Sequence, residues 1–507
     1  MTLIPEEVQE STSQESTLLY VGKEVILPVQ LPEFDEEFYK WKKNFWKNKI
    51  RGIKKIVAPM VDQSELAFRA MMRAHGADLC YSPMIHAHLF VNDTTYRKNA
   101  FSTLPTDRPL VVQFCANSPE TFLDACRLVE GFCDAVDLNL GCPQVIAKRG
   151  HYGAFLQEEP KLIAEMISKV YKHCRLPLSV KIRVLQDLPS TLAYAKMVEE
   201  AGASMLTVHG RTRDQKGVLT GLADWTFIQA VKNSLSIPVV ANGNIQMPGD
   251  VEKCLAETSV DAVMSAEGIL YNPYLFEGRI MPNFMAAREY LEYATKLNAN
   301  VSAIRAHIFR FCHYSLLKYE DLRHKTSVVF NLHEFVEIVD ELEAKIRAEV
   351  GSVHEWEKYI EGAKFETLHE LIESTPHWFS KPYIRPPQIN GPSESDFRVQ
   401  RRAEIEKIAN TTGLSKRQIR KRERRRIELE KERSKKQSYP ICKRCKQPAG
   451  ANCENLLCRK CCKWTCVREG KICKAHRFNA ERMKEKHETF LASKAAYEAN
   501  LTPDIEV

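Results

Sequence analysis

Eight short apolar runs, about 25 to 35 residues apart, constrain this chain more than any other feature. KIVAPM, DLCYSPM, LVVQFC, AVDLNLG, LSVKIRV, MLTVHG, PVVANGN and AVMSAEG follow one another between residues 55 and 268. Between most of them lies a segment of helical character, such as SELAFRAMMRAHG, TLAYAKMVEEAGA or MPGDVEKCLAET. The runs are continuous rather than alternating, as strands covered on both faces should be. Eight such strands with interleaved helices predict an α/β fold, a closed (β/α)8 TIM barrel. A doubly wound open sheet is the alternative, but no strand–GxGxxG–helix fingerprint follows any run.

From about residue 284 the pattern turns helical, with apolar residues at three- and four-residue spacing. The expected organisation is an N-terminal extension (1–48), the barrel (49–283), a helical domain (284–385), a linker and basic helix (386–440), a Cys-rich module (441–480) and a tail (481–507). The net charge of +8 is local: residues 400–438 carry 15 Lys/Arg against 6 Asp/Glu, and the remainder is near neutral. That basic stretch reads as a solvated helix, a nuclear localisation signal or a phosphate-binding segment. No apolar run approaches the roughly 18 residues that cross a bilayer, and the acidic, Ser-rich start does not read as a secretory leader. A cytoplasmic or nuclear protein is expected, monomeric and without a membrane partner.

Sixteen cysteines divide evenly. Eight scatter through residues 80–312 and eight crowd into 442–473. Without an export signal, such a cluster reads as a metal site rather than disulfides. Cys442, Cys445, Cys453, Cys458, Cys461, Cys462, Cys473 and His476 are eight ligands, enough for two tetrahedral zinc ions, with Cys466 the first to leave out. The module is too small for a hydrophobic core, so Zn2+ would be structural and supply its folding free energy.

In a TIM barrel the chemistry sits at the C-terminal ends of the strands. Pro59 and Met60 end the first run, Gln113 lies in the third, and Asn139 and Cys142 lie at the fourth. Lys181 is in the fifth, His209 and Arg211 close the sixth, Asn242, Gly243 and Asn244 the seventh, and Ala266 and Glu267 the eighth. A single Gln or His here could be a satisfied core group. A lysine within LSVKIRV is different, because a buried lysine needs an anionic partner.

The motifs APM, VQF, LNLGCP, KIR, VHGRTR and NGNI, in this order, are similar to those of the dihydrouridine synthase family of flavin-dependent tRNA-modifying enzymes. The resemblance spans about 53 to 280. APMVDQSE, GCPQVIAKRGHYGAF, MSAEGIL and KPYIRP are most similar to the eukaryotic type acting on positions 16 and 17 of the tRNA D-loop. It implies an oxidoreductase that reduces the C5–C6 double bond of uridine, with FMN recharged by NADPH or NADH, and a helical domain that binds tRNA. Reduction needs a proton as well as a hydride, and a thiol, with an ordinary pKa of about 8.5, can hold and release one. By resemblance Cys142 is the proton donor. Pro59, Met60 and Val61 would pack against the flavin, Gln113 and Lys181 would meet its polar edge, and His209 would lie between ring and phosphate. Asn242, Gly243, Asn244, Ala266 and Glu267 would line the phosphate, although an acidic Glu267 is a poor phosphate partner except through its backbone. Asn139 would orient the uracil, and Arg211, Lys148 and Arg149 are candidates for tRNA phosphates. A flavin reductase of a free pyrimidine, or an RNA-binding protein with an inactive barrel, are the alternatives.

Overall fold

The computed structural model describes residues 34–351, 365–384, 440–450 and 452–499, two short strands (Leu19–Val21 and Glu24–Ile26) and single positions between 405 and 419. The expected linker, nearly all of the basic helix and the end of the tail lie outside the described residues. The chain divides into two compact units, Met1–Pro387 and Gln388–Val507.

All eight apolar runs form strands: β1 (Lys55–Val57), β2 (Leu79–Tyr81), β3 (Leu110–Cys115), β4 (Ala135–Leu140), β5 (Leu178–Arg183), β6 (Met205–His209), β7 (Val239–Asn242) and β8 (Ala262–Ser265). They pair in parallel in chain order, and β8 pairs with β1 to close the cylinder. Every residue of β2, β3, β4, β7 and β8 is buried, which explains their unbroken apolar character. A further pair of residues, Ile85 and His86, extends the sheet beside Phe114 and Cys115 at the top of β3.

The opposite end is plugged by the helix Glu36–Lys49, within the aromatic-rich part of the N-terminal extension. Asp35 caps it by accepting from the Phe38 N–H at 2.7 Å, and its charges complement the helix dipole, acidic first and basic last. Phe45, Trp46, Ile50 and Ile53 join Ile56, Leu79, Val111, Met205, Val240 and Ala262 in one buried cluster. Lys42, 1% exposed, donates to the carbonyls of Val170, Tyr171 and Cys174 around the C-terminal end of the helix Pro160–His173, where Val170 also accepts from the Cys174 N–H. Among the described residues, the helix Glu36–Lys49 covers the N-terminal end of the barrel, and the polar strand ends lie at the other.

The helices Asn283–Lys296, Val301–Phe311 and Leu332–Val350 pack on the barrel flank through the helix Leu66–Ala74. The joint is polar at its centre. Glu65 accepts from Tyr290 Oη at 2.7 Å and meets His307 Nε2 at 3.1 Å, while His307 stacks on Phe68. Burial alone would raise the Glu65 carboxyl, but His307 and Tyr290 outweigh it and hold it below its usual 4.5. A depressed carboxyl stabilises the fold above its unfolded pKa and loses that contribution as pH falls. Glu65→Gln is therefore expected to cost about 1.5–3 kcal/mol at pH 7. In thermal melts, the gap from wild type should close as the pH drops below about 4.5.

Candidate active site and metal centre

Parallel register sets the polar residues of the mouth in tiers. Gln113, Asp137 and Ser179 are neighbours across β3, β4 and β5. Asn139, Lys181 and Thr207 form the next tier, and Arg183, His209, Asn242 and Met264 the one above. Residues two apart on a strand face the same side, so the tiers stack on one wall.

A hydrogen-bonded chain of fixed polarity runs up that wall. The backbone N–H groups of Gly141 and Cys142 donate to Asn139 Oδ1 at 3.1 and 2.9 Å. Asn139 Nδ2 donates to Gln113 Oε1 at 2.8 Å, and Gln113 Nε2 donates to Asp137 Oδ2 at 2.8 Å. The upper end can only donate and the carboxylate end accepts, so neither amide can be turned round. Asn139 Oδ1 is saturated by its two backbone donors, and any further bond Asn139 makes is as a donor. Burial pushes the Asp137 carboxyl up to about 7, against the bonds from Gln113 and Ser179 and the nearby Lys181. When protonated, Asp137 can donate to Ser179 Oγ, which also lies 3.2 Å from the Val136 carbonyl and can turn its own hydrogen there. The bond from Gln113 survives in both states.

Arg183 clamps the Cys142 turn from the other side. Its Nε donates to the Gly141 carbonyl at 2.9 Å, and its Nη1 to the carbonyls of Thr212 and Gln215. Lys216 Nζ adds a bond to the Pro143 carbonyl at 2.8 Å. Gly153 approaches so closely that a Cβ there would lie 2.8 Å from the Cys142 carbonyl oxygen. Held this way, Cys142 is partly exposed, whereas the other seven cysteines of the barrel and helical domain are all buried. It packs against Cys115, Ala147 and Tyr152, and His86 meets the Tyr152 ring edge-on at 5.6 Å. Asp137, Arg183, His86 and Tyr152 were not singled out in the sequence. Asp137 and Arg183 stand inside the AVDLNL and KIR runs and Tyr152 inside GCPQVIAKRGHYGAF, but His86, on the short strand Ile85–His86 beside β3, meets Tyr152 only through folding.

Beside this wall lies a cavity of about 320 Å³, lined by Met60, His209, Arg211, Asn242, Gly243, Asn244, Ala266 and Glu267 among others. Burial first, then Lys181, Arg183 and Arg211, drives His209 well below its usual pKa. His209 is thus neutral, and its Nε2 accepts from Arg211 Nη1 at 3.0 Å. Arg211 Nη2 also donates to Asn244 Oδ1 at 2.8 Å. At Gly243, with φ of +112°, a Cβ would sit 2.6 Å from that of Ala223; at Gly268 it would sit 2.2 Å from the Ile245 carbonyl. Both backbones are therefore held close. Arg310, from the helical domain, reaches the same cavity. Lys181 is pulled down to about 8 by burial and by Arg183, and its ammonium has no hydrogen-bond or ion-pair partner among the described residues. Val61 is 57% exposed and lines a separate cavity with Glu65, Tyr96 and Asn300. Lys148 and Arg149 lie exposed on the short helix Val145–Gly150.

The family model for dihydrouridine synthase (Dus) matches residues 56–353. The chain belongs to the dihydrouridine synthase family. A mouse protein named tRNA-dihydrouridine(16/17) synthase [NAD(P)(+)]-like is 43% identical over 85% of this chain and 89% of its own length. The tRNA-dihydrouridine(16/17) synthases [NAD(P)(+)] of Schizosaccharomyces pombe and Saccharomyces cerevisiae are each 42% identical over 68% of this chain, and over 90% and 86% of their own lengths.

The second unit of this family member carries the other candidate site. Cys442, Cys445, Cys458 and Cys461 form one group and Cys453, Cys462, Cys473 and His476 another, with the ligand atoms of each within 4.8 Å of one another. All eight residues expected from the sequence are thus gathered, and Cys466 belongs to neither group. No helix among the described residues is long and apolar enough to cross a membrane.

The polar chain predicts a contrast between two substitutions. Asp137→Leu leaves the buried Gln113 N–H unpaired, a cost of about 1–3 kcal/mol, and should speed alkylation at Cys142, read by peptide mass analysis. Asp137→Asn keeps an acceptor for Gln113 and should leave that rate near wild type. In the wild type the folded state retains a proton on Asp137 that the unfolded chain has already released between about pH 4 and 7. Wild-type stability therefore falls relative to Asp137→Asn across that window.

Proposed function

We propose that this protein is a tRNA-dihydrouridine synthase acting at positions 16 and 17 of the D-loop, with FMN as prosthetic group and NADPH or NADH as reductant. The observation that carries the reading is Cys142: in a chain of this family, it is the one partly exposed thiol of its unit and stands at the open mouth of the barrel.

The residues of the mouth suit FMN. Lys181 is a cation without a hydrogen-bond or ion-pair partner among the described residues, Gln113 and Asn139 each retain an N–H, and Met60 offers an apolar surface. Gly243 and Gly268 allow close backbone approach, and Arg211 and Arg310 supply the phosphate cations that Glu267 cannot. The flavin, when bound, supplies the hydride.

The protein's share of the chemistry is orientation and a proton. Uridine stacked in folded RNA must first be extruded into the mouth, at a cost of a few kcal/mol. Asn139, able only to donate, selects a carbonyl oxygen of the uracil. Cys142 then gives the proton of its thiol to the carbon next to the one that receives the hydride, and recovers a proton from solvent. Its turn is fixed by Asn139 below and Arg183 beside it, so the sulfur is already positioned when the base arrives. Lys148 and Arg149, exposed beyond the turn, face solvent where a tRNA backbone can be met. For the thiolate-rich module we take Zn2+ as the ion, the metal that closed sets of cysteine and histidine favour.

Incubating the full chain with unmodified tRNA and NADPH should add the mass of two hydrogens to D-loop fragments. Cys142→Ala should lower the rate by about 100-fold or more while keeping the yellow flavin absorbance. Equal rates in the two proteins would remove Cys142 from this role.

A further inference from the structure

We infer that the C-terminal module holds two Zn2+ ions in interleaved sites. Cys442, Cys445, Cys458 and Cys461 take one ion, and Cys453, Cys462, Cys473 and His476 take the other. The neighbouring-in-sequence arrangement, Cys442–Cys445–Cys453–Cys458 followed by Cys461–Cys462–Cys473–His476, would be the simpler reading of the spacing.

The distances are those of tetrahedral zinc. With Zn–S bonds near 2.3 Å and Zn–N near 2.0 Å, the edges of the tetrahedron are about 3.8 Å between sulfurs and about 3.5 Å from sulfur to nitrogen. Cys445 and Cys458 lie 3.5 Å apart, Cys453 and Cys462 3.7 Å, Cys453 and Cys473 3.9 Å, and Cys473 Sγ lies 3.5 Å from His476 Nδ1. A disulfide requires about 2.05 Å, so these are not bonded pairs.

Local structure explains the interleaving. Cys461 and Cys462 are adjacent on the helix Arg459–Glu469, where successive side chains diverge by about 100°. They therefore face different ions. Cys458 caps the same helix and turns its sulfur back toward the first group, accepting from the Cys461 N–H. The loop bearing Cys453 must cross to the second group, where Gly450 lies against His476; a Cβ there would sit 2.6 Å from Nε2. Nδ1 is the nitrogen left facing the sulfurs. Cys466, one helical turn beyond Cys462 and 3.8 Å from it, is outside both sets.

Interleaving makes the module a single folding unit. Apart from the ligands, the cluster's buried apolar members among the described residues are Ala449, Cys466, Leu457 and Met483, too few to hold it without metal. Neither ion can be bound by one contiguous stretch while the other stretch is unfolded.

Metal analysis of the purified full chain should give two zinc ions per molecule, and fewer than two would overturn the inference. The partition is read from the 113Cd-substituted protein, in which each ion's resonance reports its number of thiolates. Cys453→His should yield one site of four thiolates and one of two thiolates and two imidazoles. The contiguous arrangement would instead yield two sites, each of three thiolates and one imidazole. Cys461→His reverses the expectation: interleaving gives two sites of three thiolates and one imidazole, and the contiguous arrangement gives the four-thiolate and two-thiolate pair. Either variant alone decides the question if the other does not fold. Cys466→Ser should retain both ions, and loss of one would overturn its exclusion.

Discussion

Everything at the mouth depends on the closure of β8 against β1. A closed parallel ladder fixes the register of every strand, and with it the height at which each strand-end residue stands. Gln113, Asp137 and Ser179 come level only because β3, β4 and β5 pair in that register, and a slip of one residue would turn each to the opposite face. The helix Glu36–Lys49 makes the closure directional, since Trp46 and Phe45 fill the end where no ligand is wanted.

The electrostatics of the mouth follow from that placement. Lys181, Arg183 and Arg211 gather around His209, and Asp137 is the one carboxylate in the stacked tiers. Arg183, though lowered to about 10 by burial and Arg211, stays charged at neutral pH. Burial and the excess of cations together deprive His209 of its proton, and Lys181 has no ion-pair partner among the described residues, an arrangement that favours an anionic ligand. Arg183 and Arg211 also have carbonyl and imidazole partners, so they hold loops as well as charge. Pre-positioned groups of this kind do not have to reorganise when the ligand arrives.

The two units solve the problem of stability differently. The barrel and helical domain bury one extensive apolar core, with polar joints such as Glu65–Tyr290–His307 placed inside it. Among the described residues, the Cys-rich unit buries a small cluster made mostly of the cysteines that could hold metal. The same residue type thus stands buried in packing at Cys126 or Cys254, partly exposed at Cys142, and grouped with three other cysteines in a set that could hold a metal ion at Cys442.

The barrel was legible because strands covered on both faces must be apolar throughout, and eight such runs leave few other closed arrangements. Lys181 was legible for a related reason, since a charged group stands out against an apolar strand, whereas Cys142, in the turn after β4, and His209 took their expected roles from the family resemblance. Glu267 could be questioned as a phosphate partner from its sign alone, but that Arg310 arrives from another domain could not be read from any local pattern. The same holds for His86 beside Tyr152, for the direction of the Asn139–Gln113–Asp137 chain, and for Val61 lying on a different cavity from Met60. The order of residues along the chain determined which elements form and which chemical groups they carry. Only the folded structure decided which groups meet, because hydrogen-bond polarity and charge density at the mouth arise from residues that different strands and loops bring together.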